Sequence, residues 1–213
     1  MRAAGQEGTG SPAGDDVFTA AVAGMLADRD AERARRPQVV FEDVPAPRRL
    51  APAAAAIAAT VHTPGPGEQA DIGWGRLVLL YDPEGQPGWG GQFRVIAYIR
   101  ADVEPEIAAD PLAGRVSWSW LTEALDTRSA GYAAPSGTVT RVVTEGFGGK
   151  QDEPAATGLE IRASWSPMGE PGVAGPPPLA GHVAAWCDAL CTAAGLPPAP
   201  AGVSVIAQRR RRP

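Results

Sequence analysis

Leu77-Val-Leu-Leu-Tyr81 with Phe93-Arg-Val-Ile-Ala-Tyr-Ile99, and Thr138-Val-Thr-Arg-Val-Val-Thr144 with Leu159-Glu-Ile-Arg-Ala-Ser-Trp165, decide the fold of this chain. Successive side chains on a strand point to opposite faces, so short apolar or alternating runs of this kind read as strands. Residues 77–81 are apolar throughout, as a central strand requires. Phe93, Val95, Ala97 and Ile99 alternate with Arg94, Ile96, Tyr98 and Arg100, which gives a strand whose second face is partly covered. Leu159, Ile161, Ala163 and Trp165 turn inward while Glu160, Arg162 and Ser164 turn outward. Between the two pairs the period changes: in Trp118-Ser-Trp-Leu-Thr-Glu-Ala-Leu125, residues Trp118, Leu121 and Leu125 share one helical face.

Working outward, Asp15 and Asp16 can cap a helix starting at Val17, with Phe18, Ala21, Val22, Met25 and Leu26 on its stripe and Pro37 as its stop. Residues 38–44 read as a short strand. The alanine-rich residues 50–61 read as a second helix, with Leu50, Ile57 and Val61 on a common side and Pro52 in its first turn. A last helix over residues 179–194 carries Leu179, Val183, Trp186 and Leu190 and ends at Gly195. Paired strands separated by helices predict an α+β domain. We expect a two-layer sandwich: a mainly antiparallel sheet of four to five strands with about four helices packed on it. The domain is expected over residues 15–196, between a disordered segment 1–14 and a Pro-rich, arginine-ended flexible tail 197–213.

The 213 residues are 44% hydrophobic, enough for one core, and the 26 glycines and 22 prolines require much loop. No apolar run approaches the ~18 residues of a membrane span, and no apolar leader precedes the domain, so a cytoplasmic protein without a membrane partner is expected. Cys187 and Cys191 lie four apart on a helix, a spacing unsuited to a disulfide, and read as reduced thiols. The net charge of −5 includes +4 from Arg209, Arg210, Arg211 and Arg212, leaving −9 elsewhere. An acidic body repels polyanions while the tail attracts them.

Several phrases carry a resemblance: Phe18-Thr-Ala-Ala-Val22, Glu42-Asp-Val-Pro-Ala-Pro47, Trp89-Gly-Gly-Gln-Phe-Arg94, Trp118-Ser-Trp-Leu-Thr-Glu-Ala-Leu125, Ser136-Gly-Thr-Val-Thr-Arg141 and Leu190-Cys-Thr-Ala-Ala-Gly-Leu-Pro197. Over roughly residues 17–200 the chain resembles the actinobacterial domain-of-unknown-function family 3000. The resemblance implies a cytoplasmic actinobacterial protein with no assigned activity, so no site residues carry over. The order of elements also looks similar to the sensory-regulator and secretion-chaperone type of α+β sandwich, whose members bind protein segments. Function does not follow from such a likeness.

No catalytic set is visible. His62 and His182 are the only histidines, and His182 and Cys187 lie on different sides of a helix. The glycine-rich loop around Trp89 precedes a strand and not a helix, and the one around Phe147 lacks the Walker spacing and a following Ser or Thr, so both read as turns. No cofactor or metal is expected. Trp118, Trp165 and Trp186 fit inward stripes, whereas Trp74, Trp89 and Trp120 are candidates for an exposed partner-binding surface. Arg94, Arg100, Arg141 and Arg162 sit at outward positions of successive strands; with the four tail arginines they are the candidate polyanion-binding set. The leading expectation is a non-enzymatic adaptor or regulatory protein-binding module. The alternatives are a nucleic-acid-associated accessory protein using those arginines, and an enzyme with a carboxylate site drawn from Asp82, Glu84, Asp102 and Glu145.

Overall fold

The four quoted runs do form strands, and two further strands extend the sheet. The computed structural model describes residues 12–65, 69–128, 130–152, 155–169, 172 and 175–196. Its elements in chain order are α1 (Pro12–Arg35), β1 (Val39–Asp43), β2 (Ala53–His62), β3 (Asp71–Tyr81), β4 (Phe93–Asp102), α2 (Pro105–Ala109), α3 (Ala113–Thr127), β5 (Tyr132–Thr144), β6 (Ala156–Pro167) and α4 (Ala180–Ala193). The strands make one antiparallel sheet in the order β1-β2-β3-β4-β6-β5. This is the expected α+β architecture with six strands in place of four to five. Among the described residues no helix is long and apolar enough to cross a membrane. The residues expected as tail, 197–213, and most of the N-terminal segment, 1–11, lie outside the described residues, and α1 already begins at Pro12.

The additional strand is β2, where a helix was expected. Alanine is the best intrinsic helix former, and Ile57 and Val61 are four apart, as on a helix. They are also an even number apart, and that places both on one face of a strand. Pairing with both neighbours decides between the two: Ile57 faces Leu77, and Phe41 faces Ala59. Ile57 and Val61 are fully buried under the helices, and the small alanines let the helix layer approach.

Every helix lies on one side of the sheet. There Ile57, Leu77, Leu79, Val95, Ile99, Ile161 and Trp165 meet Val183, Trp186 and Leu190 of α4 and Leu121 and Leu125 of α3 in one core. The helix α4 is buried around nearly its whole circumference because α1 and α3 flank it. Two glycines of β3 allow its close approach. A Cβ at Gly75 would lie 2.9 Å from Trp186 Cζ2 and 3.1 Å from both Leu190 Cδ2 and the Tyr98 carbonyl oxygen. That carbonyl also accepts a 3.4 Å hydrogen bond from Trp186 Nε1. Gly75→Ala must therefore lift α4 off the sheet, and we expect a loss of about 1–3 kcal/mol by thermal unfolding. An unchanged midpoint would show that the contact is not tight.

The helix layer is also tied by charge. Arg36 is buried just beyond α1, donating from Nε to Glu32 Oε2 at 2.8 Å and from Nη2 to Asp188 Oδ1 on α4 at 2.6 Å. Arg128, at the end of α3, donates from Nε to the other Asp188 oxygen at 2.6 Å. Burial works against the Arg36 charge, but the two carboxylates outweigh it and raise its pKa. Cys187 and Cys191 are free and buried beside this network, and burial pushes both thiols up.

Candidate functional site

Among the described residues, no helix lies on the opposite face of the sheet. Alternate residues of five strands point there: Ala56 and Thr60; Trp74, Arg76, Val78 and Leu80; Arg94, Ile96, Tyr98 and Arg100; Glu160, Arg162, Ser164 and Ser166; Ser136, Thr138 and Thr140. Exposed apolar surface is costly, and one end of the face is shielded by two loops. Residues 44–52 cross it, so that Val44, Ala46 and Ala51 pack with Ala56, Val78, Leu80 and Ile96. Arg76 holds that crossing by donating to the Pro45 carbonyl. The β3–β4 loop folds back from the other side and lays Trp89 on the same cluster. Gln86 Nε2 ties the two loops, donating to the Leu50 carbonyl at 3.2 Å and to Asp82 Oδ2 at 3.1 Å.

Between these loops and β5 opens a cleft of about 440 Å³, lined by Leu50, Trp89, Arg94, Ile96, Ser136 and Ser164 among others. Its most unusual group is Arg94, which is only 8% exposed. The guanidinium donates to Ser164 Oγ at 2.8 Å, to the Ser164 carbonyl and Ser136 Oγ at 3.2 Å, and to Ser166 Oγ at 3.3 Å. Ser166 Oγ also accepts the Gly90 N–H at 3.0 Å, which fixes the Trp89 loop. All these acceptors are neutral. Burial pushes the Arg94 pKa down, with no carboxylate among the described residues to oppose it. Buried charges are ordinarily paired, because removing an ion from water costs several kcal/mol. Arg94 and the serine hydroxyls thus form the polar floor of a cleft beside an indole, suited to a carboxylate or another small anion.

A second cleft of about 340 Å³ lies at the other end of the face, lined by Thr60, Asp71, Trp74, Tyr98, Arg100 and Asp102 among others. Trp74, 38% exposed, meets Tyr98 edge-on with ring centroids 5.5 Å apart. The Arg162 guanidinium lies over the same Tyr98 ring at 5.4 Å and pairs with Glu160 at 3.3 Å. Burial, and then Glu160, raise the pKa of the Tyr98 hydroxyl.

The structure therefore gathers Trp74, Trp89, Arg94, Arg100 and Arg162 on one face and separates the remaining candidates from them. Arg141 points to the helix side, because it lies opposite Leu159, and it donates to the Ala108 and Asp110 carbonyls at 3.2 and 2.9 Å. One residue of register is enough to move a side chain to the other face. Trp120 is on α3, half-buried against the main core, and Trp118 is also half-buried, while Trp165 and Trp186 are core as expected. Arg209, Arg210, Arg211 and Arg212 lie outside the described residues. Of the candidate carboxylates, Asp102 lines the Trp74 cleft, while Asp82 accepts hydrogen bonds within its own turn. Ser136, Ser164 and Ser166 carry no signal in the sequence beyond an outward or loop position, and Leu50 lies in the loop before β2, where the sequence predicts a helix over residues 50–61.

Among known proteins, a family model described as "Protein of unknown function (DUF3000)" matches residues 15–204. No curated protein and no solved structure matches the chain.

Proposed function

The chain belongs to the DUF3000 family of proteins of unknown function, and we propose that this member is a non-enzymatic protein-binding module, an adaptor or regulator, whose docking surface is the helix-free face of its sheet. The carrying observation is the cleft in which Arg94 is buried beside Trp89 with no carboxylate partner among the described residues. A partner segment presenting an Asp, a Glu or a C-terminal carboxylate next to an apolar side chain would complete both groups at once. The carboxylate would pair with Arg94 and the serine hydroxyls, and the apolar group would lie on Trp89, Ile96 and Leu50. Trp74 and Tyr98 extend the same face, so an extended segment about 20–30 Å long would cover both clefts. Large aromatics and arginine at the centre of a face, with threonines and charged pairs around them, are the composition of a protein-docking surface.

The test is affinity purification from the native host, with and without nuclease, using wild type, Leu50→Asp and Arg94→Gln. Leu50 is half exposed at the cleft rim, so an aspartate there places a negative charge against the incoming carboxylate without disturbing the core. We expect one nuclease-resistant protein to be recovered with wild type and to fall at least about tenfold with Leu50→Asp, at unchanged thermal stability. Arg94→Gln should abolish recovery. Equal recovery by all three proteins would remove the cleft from the reading. Recovery of nucleic acid, lost on nuclease treatment, would favour the arginines as a polyanion surface instead.

A further inference from the structure

We propose that the chain forms a two-fold dimer through the outer edge of β5, antiparallel, with Thr140 of each copy at the axis. The two edges of the sheet are built differently. The edge strand β1 is five residues long, carries Glu42 and Asp43, and has Asp43 bound by Arg29 of α1. Short length and charge are ordinary protections against edge pairing. At the other edge β5 runs for thirteen residues, none fully buried, and no described strand lies beyond it. Past the irregularity between Ala133 and Ser136, residues 136–144 pair regularly with β6. In that stretch the only charge is Arg141, which is drawn back onto the Ala108 and Asp110 carbonyls of its own copy. A free edge of β-branched residues with no guard is a template for another strand.

Its side chains specify which strand. On the helix side, Gly137 leaves a gap over which the Trp118 ring lies. A Cβ there would come 2.5 Å from Trp118 Cζ3, and the ring borders an open groove of about 580 Å³ with Pro111, Gly114, Arg115 and Val139. Six residues further along the same face, Val143 is 62% exposed. A two-fold axis through Thr140 puts residue 137 of one copy opposite residue 143 of the other, so each Val143 enters the other copy's groove beside Trp118. The same register sets Thr140 against Thr140, Thr138 against Val142 and Val139 against Arg141, with no like charges opposed. Knob and hole lie on one strand at the spacing that antiparallel self-pairing requires, and this singles out a second copy over an unrelated strand. The nine-residue contact is about 31 Å long at ~3.4 Å per residue and spans two layers ~10 Å apart. With about 10 Å of depth for each layer, that is roughly 600 Å² per copy, at the lower end of specific interfaces. Two sheets joined this way would present their helix-free faces on one side, with each copy's Thr144 beside the other's Ser136 at the rim of the Arg94 cleft.

Sedimentation or light scattering from about 1 to 200 µM tests this, together with single cysteines on the exposed edge. Wild type should move toward twice the 22.0 kDa chain mass as concentration rises. Val143→Arg would drive a guanidinium into each groove against Arg115 and the Trp118 ring and should weaken association about 100-fold, with unfolding unchanged. Oxidised Thr140→Cys should cross-link to a dimer on a non-reducing gel. Thr144→Cys should not, since its two copies would lie about 27 Å apart along the strands. The native Cys187 and Cys191 are buried and give no background. A chain that stays monomeric at 200 µM would overturn the proposal. So would a dimer that is insensitive to Val143→Arg, or one in which Thr144→Cys cross-links as readily as Thr140→Cys.

Discussion

Arg36→Met is expected to be the most damaging single substitution outside the apolar core, lowering stability by about 3–5 kcal/mol, the usual consequence of removing one partner from a buried ion network. Arg36 is 1% exposed and bridges α1 to α4 by contacts of 2.8 Å to Glu32 and 2.6 Å to Asp188. Methionine fills comparable volume and so leaves little cavity. What remains is two nearly buried carboxylates held close together, each with one arginine among the described residues, Arg35 on Glu32 and Arg128 on Asp188. For a domain of this size the loss corresponds to a fall of about 10–15 °C in the unfolding midpoint. Arg36→Lys should fall between wild type and methionine, because an ammonium keeps the charge but lacks the fork that reaches both carboxylates. A loss below 1 kcal/mol in urea unfolding of Arg36→Met would mean that the network is dispensable to the packing of α1 on α4.

That network was illegible in the sequence for a physical reason. Glu32 and Arg36 read as ordinary charges near the end of a helix, where arginines complement the dipole. Their burial depends on Asp188, 152 residues away from Arg36, and no local pattern encodes that proximity. The strands of the central sheet were legible because alternation is local, and the last helix because its stripe is. The alanine run of β2 was misread because its apolar spacing satisfies both periods, and only pairing on both sides decides between them. The candidate face was half legible. Outward positions of Arg94, Arg100 and Arg162 followed from alternation, and Arg141 failed because its strand's register was unknown. The Arg94 cleft joins residues from four segments, 50, 80–96, 136 and 164, that meet only once β4, β6 and β5 are side by side.

His182 supplies the second large effect, a loss of about 3 kcal/mol in stability as pH falls from 6.5 to 4. The imidazole is 1% exposed, and its Nδ1 accepts a 3.0 Å hydrogen bond from Trp165 Nε1. Nε2 therefore carries the proton, and that atom is buried without a partner among the described residues, beside a space lined by Met25, Leu77, Leu79 and Val95. Protonating the ring would put a charge among apolar groups and turn the Trp165 acceptor into a second donor. Burial accordingly lowers the pKa from 6.5 to about 4. Because the folded value lies below the unfolded one, the unfolded chain takes up a proton between those pH values and the folded chain does not. The contribution of the neutral imidazole is therefore complete above pH 6.5, declines as pH falls and levels off below 4. His182→Gln keeps an acceptor for Trp165 but has no such titration. Its unfolding free energy should lack this component of the slope between pH 6.5 and 4, whatever its value at pH 7.5. If wild type and His182→Gln lose stability in parallel across that window, the imidazole is not the group that titrates.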